Sequence, residues 1–365
     1  AADAADEQDE LSEGIGDASR QYKTIATHGA ETAAHARSGA LAVGLEAGTP
    51  ATKALEIAAL AHDVGKAHPA FAAAIKDRNG IAPEVPLAKA PRGRWHALSG
   101  LYDHSCVGKR PGFRHELASG LALLELVWRA QPEHPALHGG REDVLEQTVG
   151  RERPAEDERL ANPNDFIARL VGLDESTLNL VLYLVVSHHG KVRATLAMSP
   201  RDQENPAPGG SFPIRGVRDG DLLPLLELAN PDDGTQFQLP QVKLHLEPAK
   251  LGLSRRYGPS WVERVVSLRE RYGTFQLAWL EALLRVADVR ASRIADPLDP
   301  RLPQDLAKVA EIPEKEDRDA GLRAWVERTL EAAAGEDKGP GLSPKRKGRR
   351  PESRVSRPAT ERGTS

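Results

Sequence analysis

Side chains that bind metal ions lie at the ends of the apolar stretches of this 365-residue chain. His62 and Asp63 close an alanine-rich run, His188 and His189 close a run that is apolar on nearly every face, and Asp288 lies near the end of a late one. Imidazole binds Mn, Fe, Co, Ni or Zn, and carboxylate can bridge two cations. Because buried polar groups need partners, this pattern predicts a metal site where several helices meet.

Two further histidines complete the candidate ligand set. His115 begins the stretch HELAS, and His28 stands at the start of the first helical stretch. His35 lies two turns after His28 and competes for the same ligand position, while His104 is an alternative to His115. The sequence leaves both choices open.

Asp63 and Lys66 have the side chains and the spacing of catalytic residues. Adjacent helical positions point about 100° apart, so His62 and Asp63 can straddle a site in which Asp63 is shared by two ions. Two cations roughly 3.5–4 Å apart would activate a water and stabilise the charge of a phosphoester transition state. Lys66, one turn on, would offer a cation to a phosphate oxygen or to the leaving group. The combination favours a metal-dependent hydrolase.

The elements that position these residues follow from the spacing of the apolar side chains. Apolar positions recur every three or four residues over 31–48, 51–68, 116–130 and 176–191, which predicts four helices. A later helix is predicted over 260–292, with a break near Gly273. Residues 200–255 alternate short apolar runs with Asp-Gly turns, so we predict an all-α helical bundle with a small β insertion.

Composition sets the predicted domain boundaries. The formal net charge of −4 hides an acidic start and a basic end, both poor in apolar residues and therefore expected to be disordered. We predict, in chain order, an acidic linker over 1–20, the metal-binding domain over 21–300, a C-terminal helical extension over 301–337 and a basic tail over 338–365.

Composition also excludes several classes of protein. Cys106 is the single cysteine, which excludes an intrachain disulfide framework and fits a reducing, cytoplasmic location. No apolar run is long enough to predict a membrane span. The sequence has no Gly-x-x-x-x-Gly-Lys-Ser/Thr phosphate loop, so we do not expect this chain to be an ATPase by itself.

Cations that could contact nucleic acid occur in two places. The polar segment 77–113 interleaves cations with Trp95 and Tyr102, as suits a groove that tracks a single strand, although an ordinary polar surface loop explains it equally well. Further cations follow the histidine pair. The candidate contacts are Arg92, Arg94, Lys109, Arg110, Lys191 and Arg193, and Lys89 belongs to the same segment.

The order of the candidate ligands resembles that of the HD-domain metal-dependent phosphohydrolases. More narrowly, the chain resembles the HD nuclease domain of the CRISPR-associated type I helicase–nuclease. The stretches that carry this resemblance are AHDVGKAHPAF, FRHELASGLALL, VSHHGKVR and LLRVADVRAS. The insertion RGVRDGDLLPLLEL and the following GPSWVERVVSLRERYGTFQLAWLEALLR are similar to the subtype G form, formerly called U.

The resemblance implies an endo- and exonuclease for single-stranded DNA with two divalent transition-metal ions, Mn, Ni, Co or Fe rather than Mg. It implies a first ion held by His28, His62, Asp63 and Asp288. It implies a second ion that shares Asp63 and adds His115, His188 and His189. Lys66 matches the lysine of the family's HD-x-GK motif. The implied partners are single-stranded DNA, a helicase domain in the same longer chain or in trans, and a CRISPR surveillance complex.

Two other functions remain open from the sequence. Nucleotidases and cyclic-nucleotide phosphodiesterases share the His-Asp pair, so the chain could hydrolyse nucleotides or cyclic nucleotides. Alternatively, the metal could only hold helices together in a non-catalytic docking module, which a site without an open coordination position for water would favour.

Overall fold

The computed structural model of the protein describes residues 18–19, 22–75, 85–91, 101–104 and 108–293. The chain divides into two compact units, Ala1–Leu322 and Arg323–Ser365, and the described residues all belong to the first. The predicted helical extension (301–337) and basic tail (338–365) lie outside the described residues. Ala18 and Ser19, which we assigned to the acidic linker, instead form a short strand.

Helices dominate the described part of the chain. They are α1 (Ile25–Ala42), α2 (Pro50–Ala61), α3 (Pro69–Ala72), α4 (His115–Ala130), α5 (Glu142–Val144, continued by a π-helical turn over Leu145–Val149), α6 (Asp165–Val171), α7 (Glu175–Ser187), α8 (Pro200–Glu204) and α9 (Trp261–Arg293). Short 3₁₀ turns occupy Val64–Ala67, Pro135–Leu137 and Glu247–Ala249.

The boundaries of two helices show what the apolar spacing could and could not predict. α9 is kinked at Gly273, where φ is 73° and ψ is 160°, as predicted from the glycine. α1 begins at Ile25, where the Thr24 side chain accepts a hydrogen bond from the Thr27 amide and caps the helix. His28 therefore lies in the first turn of α1, at the start of the first helix as predicted.

The strands are short and pair mostly two by two. They are β1 (Ala18–Ser19), β2 (Lys23–Thr24), β3 (Leu87–Pro91), β4 (Leu101–His104), β5 (Gly108–Pro111), β6 (Leu222–Leu223), β7 (Leu226–Ala229), β8 (Gln236–Leu239), β9 (Val242–Lys243), β10 (Leu253–Ser254) and β11 (Gly258–Pro259). β3 is the central strand of a β1-β3-β2 sheet, and the paired strands are β4-β5, β6-β9, β7-β8 and β10-β11.

The predicted β insertion is present and the fold is mostly α, but short strands also lie outside the insertion. β6 to β10 lie within 200–255, whereas β3, β4 and β5 lie in the segment that we interpreted as a polar loop. β3 pairs in parallel with β1 and antiparallel with β2, with Lys23 opposite Lys89. Because its partners are distant in sequence, local composition could not reveal this strand. The fold is mostly α.

The core forms around α7. Every residue of α7 from Thr177 to Ser187 is buried, and α2, α4 and α9 pack against this helix. Each leucine or valine buried in this way stabilises the fold by roughly 1.5–3 kcal/mol. The end of α7, where His188 and His189 follow, is therefore held rigidly at the centre of the bundle.

A glycine brings α1 and α2 into close contact. A Cβ atom placed on Gly29 would lie 2.4 Å from the carbonyl oxygen of Leu60, so a larger residue cannot occupy this position without moving a helix. The close approach puts the rings of His28 and His62 5.3 Å apart, centroid to centroid. Helix packing thus creates the first contact of the candidate metal centre.

Among the described residues, no single helix is long and apolar enough to cross a membrane. The bent pair of α6 and α7, with an angle of 118° between its members, passes the same test of length and composition.

Candidate metal centre

Seven side chains that could ligate metal converge from five helices. α1 supplies His28, the end of α2 supplies His62 and Asp63, and the start of α4 supplies His115. The end of α7 supplies His188 and His189, and α9 supplies Asp288. These are the positions predicted from the helix ends, and they form two groups that meet at Asp63.

The first group joins α1, α2 and α9. The ligand atoms of His28, His62 and Asp63 lie within 4.8 Å of one another. The Oδ1 atom of Asp288 lies 2.9 Å from Nε2 of His28 and 3.7 Å from Nε2 of His62. Both imidazoles also face Oδ2 of Asp63, His62 at 3.4 Å and His28 at 3.6 Å. These four side chains could surround one ion.

The second group joins α4 and α7. His115, His188 and His189 present nitrogen atoms within 4.8 Å of one another, and the Nε2 atoms of His115 and His189 are 3.2 Å apart. His115 Nε2 lies 3.3 Å from the Oδ1 atom of Asp63. One carboxylate therefore turns a different oxygen toward each group.

Backbone hydrogen bonds orient two of the imidazoles. His62 Nδ1 lies 2.7 Å from the Ala59 carbonyl oxygen and His188 Nδ1 lies 2.7 Å from that of Val185, so the Nδ1–H group donates in each ring. Among the residues that the structure describes, the Nε2 atoms of both rings and both Asp63 oxygens are buried without a hydrogen-bond partner, and the Asp63 oxygens make ionic contacts with Lys66 and His115. Buried and oriented nitrogen and oxygen atoms that lack a hydrogen bond are suited to bind a metal ion.

The turn after α2 locks the two groups together. The Oγ atom of Ser119 lies 2.7 Å from the carbonyl oxygen of His62 and 2.9 Å from that of His115, and it accepts a hydrogen bond from the Gly65 amide. A Cβ atom on Gly65 would lie 2.0 Å from the His115 carbonyl oxygen. Sequence reasoning gave no role to Ser119 or to Gly65.

The protonation states of most ligands suit metal binding. Burial lowers the pKa of His28 to about 4 and that of His188 to about 3. Burial opposes ionisation of Asp63, but His62 and Lys66 hold the pKa of its carboxyl well below the usual range. Burial also lowers the pKa of His62, yet the adjacent carboxylates outweigh it and raise that pKa. A raised pKa favours the protonated ring, so a proton on His62 would compete with a metal ion for this ligand.

Two buried lysines touch the carboxylates of the centre. Lys66 Nζ lies 3.1 Å from Oδ2 of Asp63 and 3.2 Å from the carbonyl oxygen of Ala88, which it donates to. Lys89 Nζ lies 3.1 Å from Oδ1 of Asp288. Lys66 was predicted at the site, whereas Lys89 was grouped with the candidate DNA contacts. No local feature of the sequence could have located Lys89 at the site, because the pairing of β3 with the distant strand β2 places it there.

The structure distinguishes His28 from the competing His35. His28 is fully buried between Asp63 and Asp288. His35 is half-buried, and its pKa is lowered to about 4 by burial and by Arg290 and Lys23. It belongs to neither ligand group. The side chain of His104 lies outside the described residues.

We expect His28→Gln to weaken metal binding by at least about tenfold, because it removes an imidazole ligand. His35→Gln, the same change two turns later on the same helix, should leave the affinity unchanged. Calorimetric titration of the metal-stripped proteins with Mn²⁺ measures both. Equal effects from the two substitutions would contradict the placement of His28 at the metal.

The residues predicted to contact nucleic acid differ in their exposure to solvent and in their ion pairs. Lys109 is exposed, Lys191 is half-buried, and Arg193 is exposed while its guanidinium pairs with Glu281. Arg110 is buried and bonds both oxygens of Asp221, at 2.9 and 2.7 Å. This pairing keeps Arg110 inside the protein, so our prediction of a nucleic-acid contact there is corrected. Arg92 and Arg94 lie outside the described residues.

Comparison with known families identifies the class of protein that has this geometry. Residues 16–293 match the family model described as "Cas3, HD domain". The chain belongs to the Cas3 HD-domain family. A Cas3 HD domain is a CRISPR-associated nuclease that uses divalent metal, so the family accounts for the histidine and aspartate groups and for a nucleic-acid substrate. No curated protein and no solved structure matches this chain.

Proposed function

We propose that this Cas3 HD domain is a metal-dependent endo- and exonuclease for single-stranded DNA in type I CRISPR interference. The observation that supports it most is the position of Asp63, with one oxygen facing each of two ligand groups. A carboxylate between two sets of imidazoles suits a pair of divalent ions, which is a recurrent arrangement for phosphodiester hydrolysis.

The donor atoms indicate which ions would bind. His28, His62, Asp63 and Asp288 would hold the first ion, and Asp63 with His115, His188 and His189 would hold the second. Five of these seven ligands are imidazoles, which favour Mn, Fe, Co or Ni over Mg. When bound, the ions would activate a water molecule and offset the negative charge of the phosphate.

The chain's own residues would prepare the site for a phosphodiester. Asp63 and Asp288 are nearly fully buried, so bulk water does not screen their charges. Lys66 is fully buried, and its ammonium group is held between Asp63 and the Ala88 carbonyl. In this position Lys66 would donate a hydrogen bond to a phosphate oxygen or to the leaving oxygen as negative charge develops.

Cations of the chain would guide the DNA strand. Lys191 and Arg193 lie two and four positions after His189 in the chain, and Lys109 is exposed on β5. We assign these three, with Arg92 and Arg94, to contacts with the phosphate backbone. Arg193 would exchange its ion pair with Glu281 for a phosphate.

We also propose the partners that the family resemblance implies. A helicase, in the same longer chain or on a separate polypeptide, would deliver the single strand to the nuclease. A CRISPR surveillance complex would recruit the nuclease. The similarity of the insertion to subtype G is part of the same proposal.

A cleavage assay on metal-stripped protein tests the proposed function. Circular and linear single-stranded DNA, RNA and a panel of nucleotides are each incubated with Mn²⁺, Ni²⁺, Co²⁺, Fe²⁺ or Mg²⁺. We expect metal-dependent loss of circular single-stranded DNA with the nucleotides untouched. Hydrolysis of nucleotides with intact DNA would instead support a nucleotide phosphohydrolase, and inactivity on every substrate despite bound metal would support a docking module.

A further inference from the structure

Lys89 is a buried lysine at the metal centre to which the proposed reaction gives no role. It is 1% exposed and lies on β3, opposite Lys23 of β2. Its Nζ atom is 3.1 Å from the Oδ1 atom of Asp288. The strand therefore places a cation at a carboxylate that should hold a metal ion.

The contacted oxygen is the one that faces the other ligands. Oδ1 of Asp288 also lies 2.9 Å from Nε2 of His28 and 3.7 Å from Nε2 of His62. The ammonium group of Lys89 thus reaches the edge of the space that the first ion would occupy. Lys66 makes the matching contact with the other carboxylate, Asp63.

Each of the two buried aspartates at the first ligand group has a cationic neighbour without a metal. Asp63 contacts the buried ammonium group of Lys66, and Asp288 contacts that of Lys89. A buried charge without a partner is strongly destabilising, so the lysines stabilise the metal-free fold. A divalent cation beside Asp288 would be repelled by the Lys89 ammonium at short range and in a medium of low polarity.

We propose that Lys89 is the counter-ion of Asp288 in the metal-free protein and opposes binding of the first ion. This inference rests on the proposed metal centre. The group formed by His115, His188 and His189 does not include Asp288. It faces the shared Asp63 on the Oδ1 side, through His115. It follows that the three-histidine group fills first and that the ion near Asp288 binds more weakly.

The test compares neutral substitutions of Lys89 with a control on the neighbouring strand. Lys89→Met removes the charge and keeps the length of the side chain, and Lys89→Gln keeps a hydrogen-bond donor for Asp288. Lys23→Met is the control, since Lys23 is also buried but binds Glu31 and the Ala291 carbonyl. Each protein is stripped with a chelator, titrated with Mn²⁺ by calorimetry, and unfolded thermally with and without Mn²⁺.

We expect both Lys89 variants to bind the weaker Mn²⁺ ion at least about tenfold more tightly than wild type. We also expect them to show a lower Tm without metal and a larger rise in Tm when Mn²⁺ is added. Lys23→Met should keep the wild-type affinity and the wild-type rise. Folding of Lys89→Met only in the presence of Mn²⁺ would also support the proposal.

Unchanged or weaker Mn²⁺ binding in both Lys89 variants would overturn this inference and leave the metal centre intact. Failure of both to fold with saturating Mn²⁺ would overturn it as well, because a counter-ion replaced by metal is dispensable in the loaded protein. A wild-type protein that binds no metal would overturn the metal centre together with the inference. Metal binding without DNA cleavage would defeat the nuclease proposal alone.

Discussion

Asp63→Asn is expected to abolish metal-dependent cleavage of DNA, with a fall in rate of at least about 10³-fold. Asp63 lies between the two ligand groups, with Oδ2 toward His28 and His62 and Oδ1 toward His115. The amide keeps the size of the side chain but removes the charge and one oxygen. Both ions should therefore bind less well, and the bound metal measured by elemental analysis should fall with the activity.

Asp143→Asn provides the matched control for this substitution. Asp143 is an exposed residue of α5, so the same exchange of carboxylate for amide there should change neither metal content nor cleavage. Full cleavage activity in Asp63→Asn would remove the basis for the proposed centre. Lost activity with unchanged metal content would restrict Asp63 to a role in the reaction itself.

Gly65→Ala is expected to have the largest effect on stability, lowering the free energy of unfolding by about 3 kcal/mol or more. The added Cβ atom would lie 2.0 Å from the His115 carbonyl oxygen and 2.8 Å from the Ser119 amide nitrogen. Both obstacles are backbone atoms of the buried helix α4, which cannot move aside like a flexible side chain. Denaturant unfolding of the metal-free protein measures the difference.

The control for Gly65 is another helical glycine with free space around it. A Cβ atom on Gly39 of α1 would meet nothing within 4 Å. Gly39→Ala should therefore raise the free energy of unfolding by about 0.5–1 kcal/mol, through the better helix propensity of alanine. If Gly65→Ala is as stable as wild type, the turn and α4 are not packed as closely as the structure indicates.

The candidate ligands could be predicted because they share one simple property. His62, Asp63, His188 and His189 end strongly apolar helices, and such helices must meet at the core, so their ends converge. His28 was ambiguous in the sequence because His35 has the same side chain on the same helix. The crossing of α1 and α2 at Gly29 resolved that choice, and helix packing of this kind leaves no signal in local periodicity.

The features that the sequence did not predict depend on contacts between distant segments. Lys89 reaches the centre because β3 pairs with β2, whose residues lie more than sixty positions earlier. Arg110 is buried because Asp221 of the insertion binds its guanidinium with both oxygens. In each case a cation in a polar segment resembles a surface residue until its partner is known. Charge alone therefore could not separate site residues from surface residues.

The most direct test of the two-ion centre is a titration of metal-stripped protein with Mn²⁺ in which bound ions and cleavage are followed in the same samples. Electron paramagnetic resonance counts the free Mn²⁺, and loss of circular single-stranded DNA reports the activity. We predict two ions bound per chain, with cleavage appearing only as the second ion binds. Cleavage that is complete with one bound ion per chain, or that needs no bound ion, would contradict the shared role of Asp63.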